Sequence, residues 1–265
     1  ATDGSVKKHA FHYDSDYFNK NGMFQMPLAV ASLCLEMASF SNNLNLSWDT
    51  EQKGDTPGRA ANILELYGRL GFTNAACVNY DKPLSDTSDK VAFSMAMKYI
   101  DNGKGGTDTL VAVPIRGGGY GGEWASNFYV TYDWKSSQYT RHLGFDTAAQ
   151  QAKKSVQEYL DTHTIKGDVK IWLVGFSRGA AVANLLGHHL AEETTPGGIR
   201  IQRKNLYAYT FATPAGVSEY YMDDSDTNMF NLISPVDLVP MVAPGNWGYG
   251  RYGRTVQLTP DFSHE

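Results

Sequence analysis

The sequence is poor in cysteine and in long apolar runs, and each shortage excludes a class of protein. Two cysteines in 265 residues are too few for a disulfide framework. We expect Cys34, in an apolar helical pattern, and Cys77, in a strand-like run, to be buried thiols, although a Cys34–Cys77 bridge stays open for a secreted protein. No stretch reaches the roughly 18 apolar residues of a membrane span, since the best, residues 26–39, contains Glu36. We therefore expect no integral membrane segment.

Basic clusters are equally scarce. The net charge is −5 and the isoelectric point is about 5.8. No run of Lys or Arg exceeds the pairs Lys7-Lys8 and Lys153-Lys154. Binding to nucleic acid phosphates requires a basic patch, so a nucleic acid partner is not expected.

What is present is typical of a globular α/β protein. Hydrophobic residues make up 42% and charged residues 19% of the chain, which contains no internal repeat and no Pro/Ser-rich linker. We therefore predict a single domain over residues 1–265. Helices are predicted at residues 27–40, 57–70, 147–163 (with Asp146 as N-cap) and 179–192, and strands at 72–80, 91–100, 109–115, 169–174, 206–212, 229–233 and 255–258. The alternation favours a mostly parallel sheet with helices on both faces.

A serine motif lies between the predicted strand 169–174 and the helix after it. The sequence Gly175-Phe176-Ser177-Arg178-Gly179 has the form G-x-S-x-G. In that context the motif forms a sharp turn that exposes the serine, and the glycines are needed because side chains there would collide with neighbouring elements. The turn also places Ser177 at a helix N-terminus, which favours negative charge. A structural serine turn is the simpler alternative.

Residues 172–183, with this motif at their centre, resemble the nucleophile region of the class 3 (fungal-type) lipase family, in particular a bacterial lipase-like branch. The similarity extends from about residue 91 to the C-terminus. It implies an α/β-hydrolase fold, a serine carboxylic-ester hydrolase (lipase or esterase) and an extracellular or cell-surface location. The family often has His before the serine and Leu after it, where this chain has Phe176 and Arg178, which weakens any inference about lipid specificity.

The resemblance also implies an oxyanion hole. A predicted strand ends in Arg116-Gly117 and is followed by Gly118. In the family, the residue at this place and the residue after the nucleophile supply the two oxyanion-hole amides. By similarity, the two amides here are those of Gly118 and Arg178. Tyr120 and Trp124 follow, and either form a substrate pocket or mark a strand with one buried face. A rival interpretation is the dinucleotide pattern Gly117-x-Gly119-x-x-Gly122, but a strand-like segment rather than a helix follows it.

An activated serine requires a histidine and a carboxylate, which in this fold follow the serine in the order Ser, Asp, His. Asp237 follows the predicted strand 229–233 and resembles the family's Asp-x-Val-Pro signature; a loop aspartate that caps a turn is the alternative. His188 and His189 lie about three turns along the helix after Ser177. By elimination and by similarity, His264 is the predicted base. Calcium binding at Asp223, Asp224 and Asp226 is disfavoured because the spacing lacks the EF-hand glycine and glutamate.

The sequence thus predicts acyl transfer through Ser177, Asp237 and His264, with a small-molecule or lipid ester as substrate and no metal or organic cofactor. Two alternatives stay open: a catalytically inactive hydrolase-fold binding module, and a dinucleotide-binding oxidoreductase. The acyl length, the alcohol group and the oligomeric state are not determined by the sequence.

Overall fold

The structure is a computed structural model, and it describes residues 10–40, 56–80, 90–117, 130–133, 138–192, 198–199, 201–222, 225–241 and 248–259. For residues 56–59, 130–133 and 138–140 only the backbone is described.

A twisted central sheet organises the fold. In the described part of the chain it has seven strands in the order β1-β2-β3-β6-β7-β9-β11. The strands are β1 Thr73–Val78, β2 Phe93–Asp101, β3 Thr107–Ile115, β6 Val169–Phe176, β7 Leu206–Phe211, β9 Met229–Ile233 and β11 Arg254–Gln257. The first three are antiparallel, with β2 and β3 forming a hairpin, and β3, β6, β7, β9 and β11 run parallel.

Helices cover both faces of this sheet, which confirms the predicted α/β-hydrolase architecture. In the described ranges the α-helices are α1 Met26–Ala38, α2 Thr56–Leu70, α3 Leu143–Thr162 and α4 Arg178–Glu192. A hydrophobic core lies on each face of the sheet, and alternate residues of β6 pack into one or the other. Ile171 packs with α3 and α4, whereas Trp172 packs with α1 and α2. Every residue from the start of β6 to Gly175 is buried, which is typical of a central parallel strand.

A second sheet lies beside the first. Within the described ranges it contains four strands in the order β10-β8-β5-β4, namely β10 Tyr249–Gly250, β8 Val217–Ser218, β5 Gln138–His142 and β4 Val130–Asp133. Single-turn 3-10 helices at Ser15–Asn19, Arg203–Asn205, Glu219–Tyr221 and Val239–Met241 connect the larger elements.

One helix start was predicted wrongly. Helix α3 begins at Leu143 with His142 as its N-cap residue, so Asp146 lies inside the first turn rather than before the helix. The carboxylate of Asp146 is bonded instead to the buried ring of His189, at 2.7 Å between Oδ1 and Nε2. This contact joins α3 to α4, and a tertiary partner of this kind leaves no mark in the local sequence.

The cysteines also differ from expectation. Cys34 lies on α1 and Cys77 on β1, and both are free thiols, so the two do not form a bridge. Each is half-buried rather than fully buried, and partial burial raises the pKa of both thiols. No helix of the described ranges combines the length and the apolar character that crossing a bilayer demands.

Candidate active site

The turn between β6 and α4 gives Ser177 an unusual backbone conformation. Its φ is 53°, in the left-handed region that non-glycine residues seldom adopt. The Ser177 N–H donates to the carbonyl of Phe211 on β7 at 2.9 Å, and the Ser177 carbonyl accepts from Ala180 and Ala181 at 2.9 and 3.2 Å. The first bond ends the strand and the other two begin the helix. The chain therefore changes from strand to helix at Ser177 alone. Its left-handed backbone conformation is the strain that the motif predicts.

The two glycines of the motif are required by close packing. A Cβ atom added at Gly175 would lie 2.4 Å from the carbonyl oxygen of Gly179. One added at Gly179 would lie 2.1 Å from the carbonyl oxygen of Ile115 on β3. Neither position has room for a side chain, which confirms the predicted role of both glycines.

The segment predicted to supply an oxyanion amide begins beside this turn. Arg116 and Gly117 follow β3 directly, and a Cβ atom at Gly117 would lie 2.9 Å from the carbonyl oxygen of Phe176. The ends of β3 and β6 are therefore in backbone contact. Gly118, Tyr120 and Trp124 lie outside the described residues.

The side chains on either side of Ser177, Phe176 and Arg178, have different environments. These are the two positions where the sequence departs from the usual family pattern. Arg178 is only 1% exposed, and its guanidinium group lies 5.6 Å from the ring centre of Phe145 on α3. Phe176 is 41% exposed at the edge of the sheet. The arginine thus packs beneath the turn as part of the scaffold, while the phenylalanine is available to an apolar ligand.

Asp237 lies on the same edge of the sheet. It follows β9, and the register aligns Leu232 with Phe211 and Phe211 with Phe176. The end of β9 is thus two strands across from Ser177, a lateral distance of about 10 Å at the usual strand spacing. The side chain is half-buried, and its Oδ1 accepts from the N–H of Val239 at 2.9 Å, where a 3-10 helix begins.

Strand β11 also ends at the carboxyl end of the sheet, beside β9. Gln257, which ends β11, is paired with Ile233 in a parallel ladder, and the N–H of Leu258 donates to the Ile233 carbonyl at 2.8 Å. The chain therefore leaves β11 beside the loop of Asp237. His264 follows seven positions after Gln257 and lies outside the described residues.

The histidines on α4 are engaged elsewhere. His188 Nδ1 lies 3.0 Å from Oδ2 of Asp226, and its ring stacks on Tyr252 at 3.6 Å between centroids. His189 contacts Asp146 as described above. Both rings are about 16 Å along the helix from its start. Asp226, one of the three clustered aspartates, also accepts from the guanidinium group of Arg203 at 2.6 Å, while Asp223 and Asp224 lie outside the described residues.

Comparison with known proteins identifies the family. Residues 112–247, slightly more than half of the chain, match the family described as lipase (class 3). The chain belongs to the class 3 lipase family. It is accordingly a serine carboxylic-ester hydrolase, and the matched segment includes the turn of Ser177 and the loop of Asp237. A search of curated proteins found none that matches the sequence.

Solved lipase structures share the fold of this family member. A lipase from Rhizopus microsporus var. chinensis is 18% identical, covers 90% of this chain and 77% of its own, and superposes with a TM-score of 0.51. Lipase II from Rhizopus niveus is 17% identical with coverages of 89% and 82% and a TM-score of 0.50. A triacylglycerol lipase whose catalytic centre is described as a serine protease triad is 16% identical, with coverages of 88% and 79% and a TM-score of 0.50.

One residue beside the site was not predicted to have any functional role. Glu36, on helix α1, is only 1% exposed, and burial raises the pKa of its carboxyl group well above the usual value of 4.5. The backbone amides of Gly117 and Phe176 and the charge of Arg116 act in the opposite direction. In the sequence analysis, Glu36 was used only as the charged residue that interrupts the apolar stretch 26–39. A lone carboxylate on the buried face of a helix was the available signal.

Proposed function

We propose that this class 3 lipase hydrolyses carboxylic esters with Ser177 as nucleophile, His264 as general base and Asp237 as the residue that orients the histidine. The observation that carries the proposal is the left-handed φ of 53° at Ser177, between a buried strand and a helix, where both flanking glycines have no room for a side chain. Strain of this kind persists where function requires it. The chain order Ser, Asp, His matches that of the hydrolase fold.

The proposed reaction passes through an acyl-enzyme. Ser177 Oγ attacks the ester carbonyl while its proton passes to His264, and the imidazolium then protonates the departing alkoxide as the C–O bond breaks. Water, deprotonated by His264, attacks the acyl-enzyme, and the acid leaves as Ser177 regains its proton. Asp237 stabilises the imidazolium, and since Oδ1 accepts from Val239, Oδ2 is the oxygen that we assign to the histidine.

The oxyanion formed in both steps is assigned to the amides of Gly118 and Arg178. Arg178 begins helix α4, whose N-terminus favours negative charge. Gly118 follows Gly117, which packs against the backbone of Phe176. Donors aimed at the developing charge are worth about 3 kcal/mol each in related chemistry.

A lipid or other apolar ester is the proposed substrate class. Exposed apolar side chains surround the predicted acid, with exposures of 67% at Val236, 78% at Leu238 and 59% at Met241. We assign Tyr120 and Trp124 to substrate contacts on the resemblance alone. We also propose that residues 1–265 act as one domain and that the protein works outside the cell or at its surface.

Hydrolysis of p-nitrophenyl esters by wild type and Ser177→Ala tests the proposal. We expect the variant to lose at least about 10⁴-fold in kcat, because the nucleophile and its base act as one unit. Ser155→Ala, which removes a serine from helix α3, is the matched control and should keep wild-type activity. Full activity in Ser177→Ala would refute the assignment.

A series of p-nitrophenyl esters of increasing acyl length tests the substrate class. If the apolar surface around Asp237 receives the acyl chain, kcat/KM should rise with chain length, by about threefold or more for each CH₂ that becomes fully buried. A decrease from acetate to longer chains would contradict an apolar acyl site while leaving the nucleophile assignment intact.

A further inference from the structure

The loop that carries the predicted acid keeps its shape through short-range hydrogen bonds. In this loop, residues 234–241, the Asp237 N–H donates to the Ser234 carbonyl at 3.2 Å. Its Oδ1 accepts from the Val239 N–H at 2.9 Å, where the 3-10 helix Val239–Met241 begins. Bonds between near neighbours fix the shape of the loop, but they do not fix its place beside the sheet.

Arg251 joins this loop to the rest of the fold. It lies between β10 and β11, and its guanidinium group donates to two main-chain carbonyls, from Nε to Thr213 at 2.5 Å and from Nη2 to Pro240. Pro240 directly follows Val239, whose N–H holds the carboxylate of Asp237. In the described part of the chain, no other hydrogen bond links the loop to a distant segment.

The main chain on both sides of Arg251 is itself anchored. On one side, Gly250 is paired with β8. On the other, the Tyr252 N–H donates to Oδ1 of Asn184 at 3.0 Å, and the Tyr252 carbonyl accepts from Nδ2 of the same side chain at 2.8 Å. Asn184 is buried on α4, the helix that begins directly after Ser177. The side chain of Arg251 therefore extends from a segment that is bonded to the helix of the nucleophile.

The other carbonyl that Arg251 contacts lies at the end of the strand between the nucleophile and the acid. Thr213 is completely buried, and it follows Ala212, the residue after β7, whose φ of 50° is left-handed. The Ala212 N–H donates to the Leu232 carbonyl on β9 at 2.9 Å, and Thr213 Oγ1 donates to Thr210 Oγ1 at 2.9 Å. The guanidinium group thus connects the acid loop to a segment that is fixed by its own bonds.

We propose that Arg251 is a positioning residue for ester hydrolysis and that it acts through Asp237. Its two hydrogen bonds hold the acid loop in place beside the end of β7, so that the carboxylate stays where it can orient the histidine. A guanidinium group suits this task because its donors point in fixed directions, and hydrogen bonds from a charged donor are about twice as strong as neutral ones. This role rests on the one proposed above for Asp237.

The test compares kcat and KM for wild type, Arg251→Gln and Arg251→Lys on a short p-nitrophenyl ester. Rates are expressed per active site titrated to completion with a fluorophosphonate, so that misfolded protein does not count. We expect kcat to fall by about tenfold to a hundredfold in Arg251→Gln, since small displacements at a reacting centre have effects of this size. KM should change by less than about threefold, because ground-state binding is not altered. Arg251→Lys keeps a charged donor and should recover part of the loss.

The double variant of Arg251 and Asp237 separates positioning from general damage to the fold. Asp237→Ala alone should lower kcat by about 10⁴-fold, as loss of the acid does in related triads. In the Asp237→Ala background, Arg251→Gln should lower kcat by no more than about a further twofold, because residues that act through the same group are not additive. General damage to the fold would instead multiply with the loss of Asp237.

Arg254→Gln is the matched control. Arg254 also donates to a main-chain carbonyl, from Nη1 to Gly22 at 2.9 Å, but it lies at the start of β11, away from the carboxyl end of the sheet. It should keep kcat per titrated site within about twofold of wild type.

Three results would overturn the positioning role: wild-type kcat in Arg251→Gln, an equal loss in Arg254→Gln, or the full further loss in the double variant. Wild-type kcat in Asp237→Ala would instead refute the acid of the proposed function, so the two failures are distinguishable. If Arg251→Gln does not fold, the same comparison with Arg251→Lys decides.

Discussion

At the scale of single residues, the fold keeps an ionisable group of helix α1 away from water. This group is the carboxyl group of Glu36, and desolvation disfavours its ionised form more than the amides of Gly117 and Phe176 and the charge of Arg116 favour it. Its pKa in the folded protein is therefore well above 4.5, whereas in the unfolded chain it returns to about that value. A difference of this kind links stability to pH.

We predict that the stabilising contribution of Glu36 is complete below pH 4.5 and is lost as the pH rises toward its folded pKa. In that window the folded protein keeps a proton that the unfolded chain has released, so the free energy of unfolding falls with pH by up to about 1.4 kcal/mol per unit. Glu36→Gln has no such proton. Urea unfolding of both proteins across this range should show wild type losing stability relative to the variant as the pH increases. Parallel curves would show that the carboxyl group ionises normally in the fold.

At the scale of elements, the strand, turn and helix around Ser177 form one unit whose backbone contacts leave no space. Gly179 is the tightest position, since β3 passes directly beneath the first turn of α4. By contrast, Gly68 lies on the exposed face of α2 with nothing within 4 Å of where a Cβ atom would be placed.

The same substitution should therefore have opposite effects at these two helical glycines. We predict that Gly179→Ala destabilises the protein by about 3 kcal/mol or more, because β3 or α4 must move. Gly68→Ala should stabilise it by about 0.5–1 kcal/mol, because alanine has the higher helix propensity. Chemical denaturation of the two variants measures both values. A mild effect at Gly179 would mean that the turn is not packed against β3 as described.

Periodicity made most of these elements predictable. The strand 229–233 was predicted to the residue, and β6 and α4 within two residues, because buried strands and amphipathic helices have distinct patterns. The start of α3 was missed because Asp146 has the local character of an N-cap, whereas its actual partner is His189 on another helix. The strands β5, β8 and β10 were not predicted, since such short segments depend on their neighbours.

At the scale of the whole molecule, the parallel strands bring distant segments to one edge. Residues after β3, β6, β9 and β11 all emerge at the carboxyl end of the sheet, where ligands bind in folds of this type. Ser177 and Asp237 could be predicted as site residues because each lies in a motif that directly follows a predicted strand. The near-complete burial of Glu36 was not predicted, because it arises only when α1 packs across β3 and β6.

The central claim is that Ser177 is activated by a histidine delivered from beyond β11. Its most direct test is the rate at which a fluorophosphonate modifies the protein, with the modified residue identified by mass spectrometry, in wild type, His264→Ala and His163→Ala. His163 is a suitable control because it lies before the start of β6, at the opposite end of the sheet, with its Nδ1 2.7 Å from the carbonyl oxygen of Tyr159.

We predict a single adduct on Ser177 in wild type and in His163→Ala, formed at equal rates, and labelling slower by about 10²-fold or more in His264→Ala. Labelling of His264→Ala at the wild-type rate, or an adduct on any other residue, would contradict the account.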